Sequence, residues 1–220
     1  MLRGVTGFFL TFEGPEGGGK STQAERLATT LKDRGYTISW TREPGGTPVG
    51  EAIRQILLKR SRVPIGGWTE ALLFTAARAQ LVEDVIRPRI EAGEIVVSDR
   101  FSDSTLAYQG YGRGLELSSL ERLQQEATRG LKPSLTFLLD LPVEQGLGRI
   151  APRLLDRLDR EPDAFHQRVR QAYLAMAAGE PERWLVLDAR AEAGDLAEQI
   201  VKATIERLER AGVGMERQSA

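Results

Sequence analysis

The 220-residue sequence contains no cysteine and no asparagine. The lack of cysteine excludes disulfides, thiol catalysis and cysteine-ligated zinc. No apolar run approaches the roughly 18 residues of a membrane-spanning helix, and no basic-then-apolar secretory segment opens the chain. We therefore expect a cytoplasmic protein without a membrane partner.

The chain also lacks an excess of either charge. Its 30 basic residues nearly balance its 31 acidic ones, and the net charge of −1 gives no reason to expect a nucleic-acid partner. Of the basic residues, 25 are arginines and only five are lysines. Because a guanidinium binds phosphate through a planar fork, this bias is compatible with a phosphate-handling site. A base-composition bias of the genome explains it equally well.

Residues 14–21 form a glycine-rich phosphate-binding motif, the P-loop. The segment Gly14-Pro15-Glu16-Gly17-Gly18-Gly19-Lys20-Ser21 fits G-x-x-x-x-G-K-[ST], and a helical pattern opens at Thr22. In such a loop backbone N–H groups wrap around phosphate oxygens, Lys20 reaches the β- and γ-phosphates, and Ser21 can bind Mg²⁺. The alternative is a glycine-rich turn that happens to precede Lys-Ser. The apolar strand before the loop and the helix after it favour a nucleoside triphosphate site.

Short apolar runs alternate with longer helical patterns, which is typical of a parallel α/β sheet. The predicted strands are Phe8–Phe12, Thr37–Trp40, Glu94–Ser98, Leu135–Leu139 and Trp184–Leu187. Helices are predicted over 22–34, 118–129, 163–178 and 195–210. Another is predicted to begin after a cap at Thr47, with Pro48 in its first position. A further helix is predicted from a cap at Thr69 to Ala92, with a kink near Pro88. We predict a three-layer α/β P-loop fold with about five parallel strands and helices on both faces. Residues 1–220 would form one domain, with a tail from about residue 212.

The segments after the strands supply candidates for a second site. Without asparagine the chain cannot contain the Asn-Lys-x-Asp motif of switch GTPases. Asp99 ends a predicted strand beside the P-loop, where it can hold Mg²⁺, and Arg100 suits an acceptor phosphate; a structural ion pair is the alternative. Phe74 and Arg78 lie four residues apart on one helical face, where they could stack on a base and bind its edge, or be a core phenylalanine with a surface arginine.

The stretch from 148 to 162 differs from the rest of the chain because arginines and acidic residues alternate in it. Arg149, Arg153, Arg157 and Arg160 are interspersed with Asp156, Asp159 and Glu161, and Pro152 interrupts the run. One reading is a solvated charged loop. The other is a mobile lid that brings arginines over a transferring phosphoryl group.

Several of these segments together resemble the bacterial thymidylate kinases. The resemblance rests on Phe12–Thr22, Thr41–Thr47 (Thr-Arg-Glu-Pro-Gly-Gly-Thr), Asp99-Arg100 and Ser104–Gly110 (Ser-Thr-Leu-Ala-Tyr-Gln-Gly), and Phe165–Tyr173 is similar to the helix after the lid in that family. It implies transfer of a phosphoryl group from MgATP to dTMP, giving ADP and dTDP, by a homodimer. Another pyrimidine nucleoside monophosphate kinase, for dCMP or UMP, and a P-loop module without kinase chemistry are the rival hypotheses.

The resemblance also implies roles for individual residues. Gly14, Pro15, Glu16, Gly17, Gly18, Gly19, Lys20, Ser21 and Thr22 would bind ATP, with Ser21 and Asp99 at the metal. The dTMP site would consist of Glu16, Glu43, Arg54, Phe74, Arg78, Arg100, Ser104, Thr105, Tyr108 and Gln109. Phe74 would stack on thymine while Arg78 binds its O4. Arg54 and Arg100 would hold the acceptor phosphate, and Glu16 would accept from the 3′-hydroxyl.

The P-loop contains no arginine at its variable positions, which are Pro15, Glu16, Gly17 and Gly18. Some thymidylate kinases carry a catalytic arginine there, and others place it in the lid. The resemblance therefore assigns catalysis to Lys20 and to a lid arginine. Arg153 is the first candidate, and Arg149 and Arg157 are the next. This lid is about one residue shorter than the commonest pattern, so the choice among the three arginines stays open.

Overall fold

Five parallel strands form the central sheet in a computed structural model that describes residues 7–59, 64–152 and 155–214. The strands are β1 (Phe8–Glu13), β2 (Ile38–Arg42), β3 (Ile95–Asp99), β4 (Leu135–Asp140) and β5 (Trp184–Asp188). Their order across the sheet is β2-β3-β1-β4-β5, so β1 is central. It pairs in parallel with β3 and β4, with Phe8 opposite Ile95 and Leu10 opposite Leu135. The predicted parallel sheet is confirmed, with strand bounds shifted by one or two residues.

Nine α-helical segments are present in the described residues. They are α1 (Lys20–Asp33), α2 (Pro48–Leu58), α3 (Gly67–Leu81), α4 (Arg87–Glu91), α5 (Ser102–Thr105), α6 (Leu117–Thr128), α7 (Val143–Gly148), α8 (Asp163–Gly179) and α9 (Ala193–Ala211). Two π-helical segments, Val82–Ile86 and Leu106–Gly112, connect α3 to α4 and extend α5. No described helix combines the length and the apolar character needed to cross a membrane.

Helices cover the sheet on both faces, and its central strand β1 is therefore buried along its whole length. On one face Leu10 and Phe12 pack with Leu27 of α1 and Ile200 of α9. On the other face Phe9 packs in a cluster with residues of α3 and the π-helical segment that follows it. A near-continuous apolar strand is what a parallel sheet between two helical layers requires. The three-layer α/β prediction is therefore confirmed.

The helix starts show where local signals were sufficient. Thr47 caps α2 as predicted, because its hydroxyl accepts from Gly50 N at 3.0 Å and Pro48 occupies the first turn. The Thr69 cap was wrong: α3 begins at Gly67, since the Gly66 carbonyl accepts the first helical bond from Glu70 N at 2.9 Å. Before Pro88, where a kink is predicted, the backbone forms the π-helical segment Val82–Ile86, and α4 follows from Arg87.

The predicted lid and tail are only partly described. The lid begins where α7 ends, and Arg153 lies outside the described residues. Within residues 155–162, Leu158 is buried in a second apolar cluster that also contains Phe165 of α8 and Leu138 of β4. Helix α9 ends at Ala211, and residues 215–220 of the predicted tail also lie outside the described part.

Candidate active site

A cavity of about 280 Å³ opens at the carboxyl ends of β1 and β3, the position where open parallel sheets bind ligands. Its walls come from the P-loop, the turn after β2, helices α2 and α3, the segment after β3, and residues 150, 156, 158 and 159. The lining residues are Glu16, Gly17, Lys20, Ser21, Arg42, Glu43, Pro44, Arg54, Leu58, Phe74, Asp99, Arg100, Ser104, Thr105, Tyr108, Gln109, Ile150, Asp156, Leu158 and Asp159. Predicted site residues that lie far apart in the sequence thus line the same cavity.

The P-loop curls around the ammonium group of Lys20. Nζ donates to the carbonyl oxygen of Gly14 at 3.0 Å and to that of Pro15 at 2.6 Å. Gly19 precedes α1 in the left-handed conformation, with φ 83°, which glycine adopts without steric cost. Burial and, to a smaller extent, the charge of Arg100 lower the pKa of Lys20 to about 8, against the opposing charges of Asp99 and Glu16. The remaining predicted ATP residues, Gly18 and Thr22, belong to this loop and the first turn of α1.

Ser21 and Asp99, the two residues predicted to hold a metal ion, meet at the edge of the cavity. The Ser21 hydroxyl donates to Asp99 Oδ2 in a short hydrogen bond. Both are oxygen ligands of the kind that Mg²⁺ prefers. No group of three or more carboxylate, histidine or cysteine side chains among the described residues could hold a metal ion unaided. The pair therefore fits a metal ion that takes its remaining ligands from water and from phosphate.

Arg100 lines the cavity and has a strained backbone, at φ 72°. Its guanidinium donates to Gly14 O at 3.2 Å, to Tyr108 Oη at 3.0 Å and to Tyr173 Oη at 3.1 Å. A non-glycine residue in this conformation is uncommon and tends to occur at functional sites. The hydrogen bond to Gly14 O keeps the guanidinium beside the P-loop, where it can bind a phosphate as a fork.

Glu16 is held between this arginine and the only histidine of the chain. Its carboxylate accepts from Arg100 Nη2 at 3.4 Å and from Tyr108 Oη in a short hydrogen bond, and His166 Nδ1 lies 3.4 Å away. Burial would raise the pKa of Glu16, but His166, Arg100 and Lys20 outweigh it and lower the pKa to about 2. Glu16 is therefore ionised and able to accept from a hydroxyl group.

Sequence reasoning missed a second buried carboxylate beneath Arg100. Glu13 accepts from Phe101 N at 2.8 Å, Ser104 Oγ at 2.6 Å and Tyr173 Oη at 2.8 Å. Burial and the neighbouring Asp103 raise its pKa to about 7. An acidic residue at the carboxyl end of the mostly apolar central strand was the available signal. Predicted residue Ser104 is thus tied to the core and does not point freely into the cavity.

Phe74 and Arg78 share a helix but not an environment. Phe74 lines the cavity, whereas Arg78 is 1% exposed and does not contribute to the lining. Arg78 forms an ion pair with Glu43 at 2.6 Å and donates to Thr105 Oγ1 at 2.8 Å and Gln124 Oε1 at 2.6 Å. Burial raises the pKa of Glu43, against the charge of Arg78. The Arg78 guanidinium therefore does not face the cavity itself, but it binds Thr105 and Glu43, which line the cavity.

Comparison with known proteins decides the family. The family model described as thymidylate kinase matches residues 12–200. The thymidylate kinase of Thermomicrobium roseum is 55% identical over 184 residues, covering 83% of this chain and 87% of that protein, and that of Roseiflexus castenholzii is 50% identical over 206 residues, covering 87% and 90%. This chain belongs to the thymidylate kinase family. The crystal structure of thymidylate kinase from Ehrlichia chaffeensis superposes with a TM-score of 0.74 at 31% identity, covering 90% of this chain and 98% of that one.

Within this thymidylate kinase fold, the lid arginines occupy different places. Arg149 Nη1 donates to Gly17 O at 3.4 Å and to Ala189 O at 3.0 Å, so it lies beside the P-loop. Arg157 is directed away from the phosphate end: its guanidinium donates to Leu57 O at 2.8 Å and to Glu70. Arg153 lies outside the described residues, so its predicted role stays a prediction.

Proposed function

We propose that this thymidylate kinase family member transfers the γ-phosphoryl group of ATP to dTMP, giving ADP and dTDP, as one domain closed by the lid. One observation carries the proposal: the P-loop opens into the same cavity as an aromatic ring and two polar side chains that can bind a base edge. Phe74 offers a stacking face, and Thr105 and Gln109 offer hydrogen bonds to a base edge. The 50–55% identity to curated thymidylate kinases supports dTMP as the acceptor.

The geometry supports a role for each charged group. Lys20 would bind the β- and γ-phosphates once these replace its present carbonyl partners. Arg100 and Arg54 would hold the acceptor phosphate, since both line the cavity. Glu16 would accept from the sugar 3′-hydroxyl because it is ionised and faces the same space. A lid arginine, Arg153 first, would neutralise charge that develops on the transferring group.

Mg²⁺ would be held by Ser21 and, directly or through water, by Asp99. When bound, it neutralises phosphate charge and orients the transferring group. The present contact between the two side chains keeps both oxygens at the edge of the cavity.

We propose that the chain acts as a cytoplasmic homodimer without nucleic acid. The near-neutral charge supports the last point. Helices α2 and α3 leave large apolar side chains exposed: Val49, Ile56, Trp68 and Leu72 are each 44–55% exposed. Apolar side chains on two adjacent helices suit an interface between copies. Sedimentation of the wild type against Leu72→Lys tests this, and a monomeric wild type would contradict it.

An assay of ADP production from MgATP, run in parallel with dTMP, dUMP, dCMP, UMP and AMP, tests the function. We expect dTMP to be preferred over dCMP by about tenfold or more, because a site that reads a pyrimidine edge loses hydrogen bonds to the wrong base. The folded Lys20→Ala variant is the control for contaminating kinases. Equal use of dTMP and dCMP would contradict the acceptor, and the absence of all transfer would favour a nucleotide-binding module.

A further inference from the structure

Glu70 is a fully buried carboxylate in α3 that binds three side chains, two from residues 109–113 and one from the predicted lid. Its Oε1 accepts from Gln109 Nε2 at 2.8 Å and from Arg113 Nε at 3.2 Å. Its Oε2 accepts from Arg113 Nη2 at 3.1 Å and from Arg157 Nη2 of the lid at 2.5 Å. Burial would raise the pKa of Glu70, but these hydrogen bonds outweigh it and lower the pKa. Glu70 is therefore an ionised acceptor.

The charge of Glu70 determines which way the Gln109 amide faces. An ionised carboxylate only accepts hydrogen bonds, so the amide nitrogen of Gln109 must be the atom directed at it. The carbonyl oxygen, which is the acceptor of the Gln109 amide, then faces away from Glu70 and is left for a ligand. No donor in the described part of the chain binds that oxygen, and Gln109 lines the cavity beside Thr105.

A carbonyl oxygen in this position distinguishes between pyrimidines. Thymine and uracil carry an N3–H donor, whereas the N3 atom of cytosine is an acceptor. A fixed carbonyl oxygen accepts from the first two and repels the third. A freely turning amide could instead present its NH₂ group to cytosine.

We propose that Glu70 is a positioning residue that fixes the Gln109 carbonyl toward the base and so selects acceptors with an N3–H donor. This rests on the proposed function, since it takes a pyrimidine nucleotide as the acceptor. The same carboxylate anchors the lid through Arg157, and Arg113 joins it to Glu161 at 2.6 Å. The Gln109 amide and the lid residue Arg157 are thus both hydrogen-bonded to the Glu70 carboxylate.

The test compares kcat/KM for dTMP, dUMP and dCMP in the wild type and in Glu70→Gln. The neutral amide of this variant can offer either an oxygen or an NH₂ group, so Gln109 is free to turn. We expect the dTMP-over-dCMP ratio to fall by about fivefold or more, while the dTMP-over-dUMP ratio stays unchanged because both bases carry N3–H. A general loss of structure would lower all three activities together.

Two further variants separate the contacts of Glu70. Arg157→Met removes the lid donor but keeps the Gln109 contact, so the dTMP-over-dCMP ratio should stay at its wild-type value whatever happens to kcat. Gln109→Met removes the amide itself and should lower the ratio. Adding Glu70→Gln to Gln109→Met should lower it no further, because the residue through which Glu70 acts is gone.

An unchanged dTMP-over-dCMP ratio in folded Glu70→Gln would overturn the proposal. If that variant does not fold, an unchanged ratio in Gln109→Met would overturn it equally. A wild type that does not phosphorylate dTMP would instead overturn the proposed function, so the two failures are distinguishable.

Discussion

Gly146→Ala is expected to impair ATP use through the contact between α7 and the P-loop. A Cβ atom on Gly146 would lie 2.3 Å from the carbonyl oxygen of Glu16. Such atoms stay at least 3.0 Å apart, so the loop or the helix must move by at least about 0.7 Å. Overpacking costs about 1–3 kcal/mol, and alanine in a helix returns about 1 kcal/mol, so the net loss of unfolding free energy is about 0–2 kcal/mol.

The functional loss should exceed the loss of stability. A displacement approaching 1 Å in a positioning group can cost on the order of a hundredfold in rate, so we expect kcat/KM for MgATP to fall by about tenfold or more. The ADP assay at saturating dTMP with varied MgATP measures this, and thermal melting by circular dichroism measures stability.

Gly148→Ala is the matched control on the same helix. A Cβ atom there meets nothing within 4 Å. It should raise Tm by about 1–4 °C and leave kcat/KM within about twofold of the wild type. If Gly146→Ala matched Gly148→Ala in both Tm and kcat/KM, the proposed contact would not constrain the P-loop.

Four other outcomes are expected. Lys20→Ala should abolish transfer and leave the thermal melt nearly unchanged, since its Nζ supplies charge to the β- and γ-phosphates; near-normal turnover would refute a donor role. Arg78→Met should cost about 3–5 kcal/mol in urea unfolding because the buried Glu43 loses its counter-ion, and a cost below about 1 kcal/mol would contradict this. Because the pKa of Glu16 is lowered to about 2 in the folded protein, its ionised form stabilises the fold fully above about pH 4.5 and progressively less as the pH falls through about 2. Glu16→Gln should therefore reduce the loss of unfolding free energy on acidification, measured by urea unfolding at several pH values. An unchanged acid side of that curve would contradict the stabilising ion pairs of Glu16. Arg153→Ala should lower kcat by about a hundredfold or more with little change in the KM for dTMP, and retention of half the wild-type kcat would remove it from the mechanism.

The order of elements and the P-loop could be predicted because both depend on nearby residues. Apolar runs alternate with helical periodicity along the chain, and this pattern already specifies a parallel sheet covered by helices. The motif from Gly14 to Ser21 is contiguous, so its spacing alone predicts a phosphate loop. The Thr47 cap was predictable for the same reason, since its hydrogen bond spans three residues.

Tertiary structure decided which side of each helix meets which partner. Phe74 and Arg78 share a helical face by spacing, yet one lines the cavity and the other is buried by Glu43, Thr105 and Gln124. The Thr69 cap failed because the Gly66 carbonyl could already accept the first helical bond.

The buried carboxylates Glu13 and Glu70, which each bind several side chains around the site, could not be predicted from the local sequence pattern. Glu13 meets Tyr173 across 160 positions, and Glu70 meets Arg157 across 87. A helical or strand period states which face a side chain takes, but it carries no information about the partner that will cover that face. A buried carboxylate is stable only when hydrogen-bond donors surround it. The roles of Glu13 and Glu70 therefore depend on donors that only the folded chain brings next to them. The sequence by itself therefore determined the phosphate loop and the α/β sheet, and only the packing of distant segments determined how the acceptor site is held in shape.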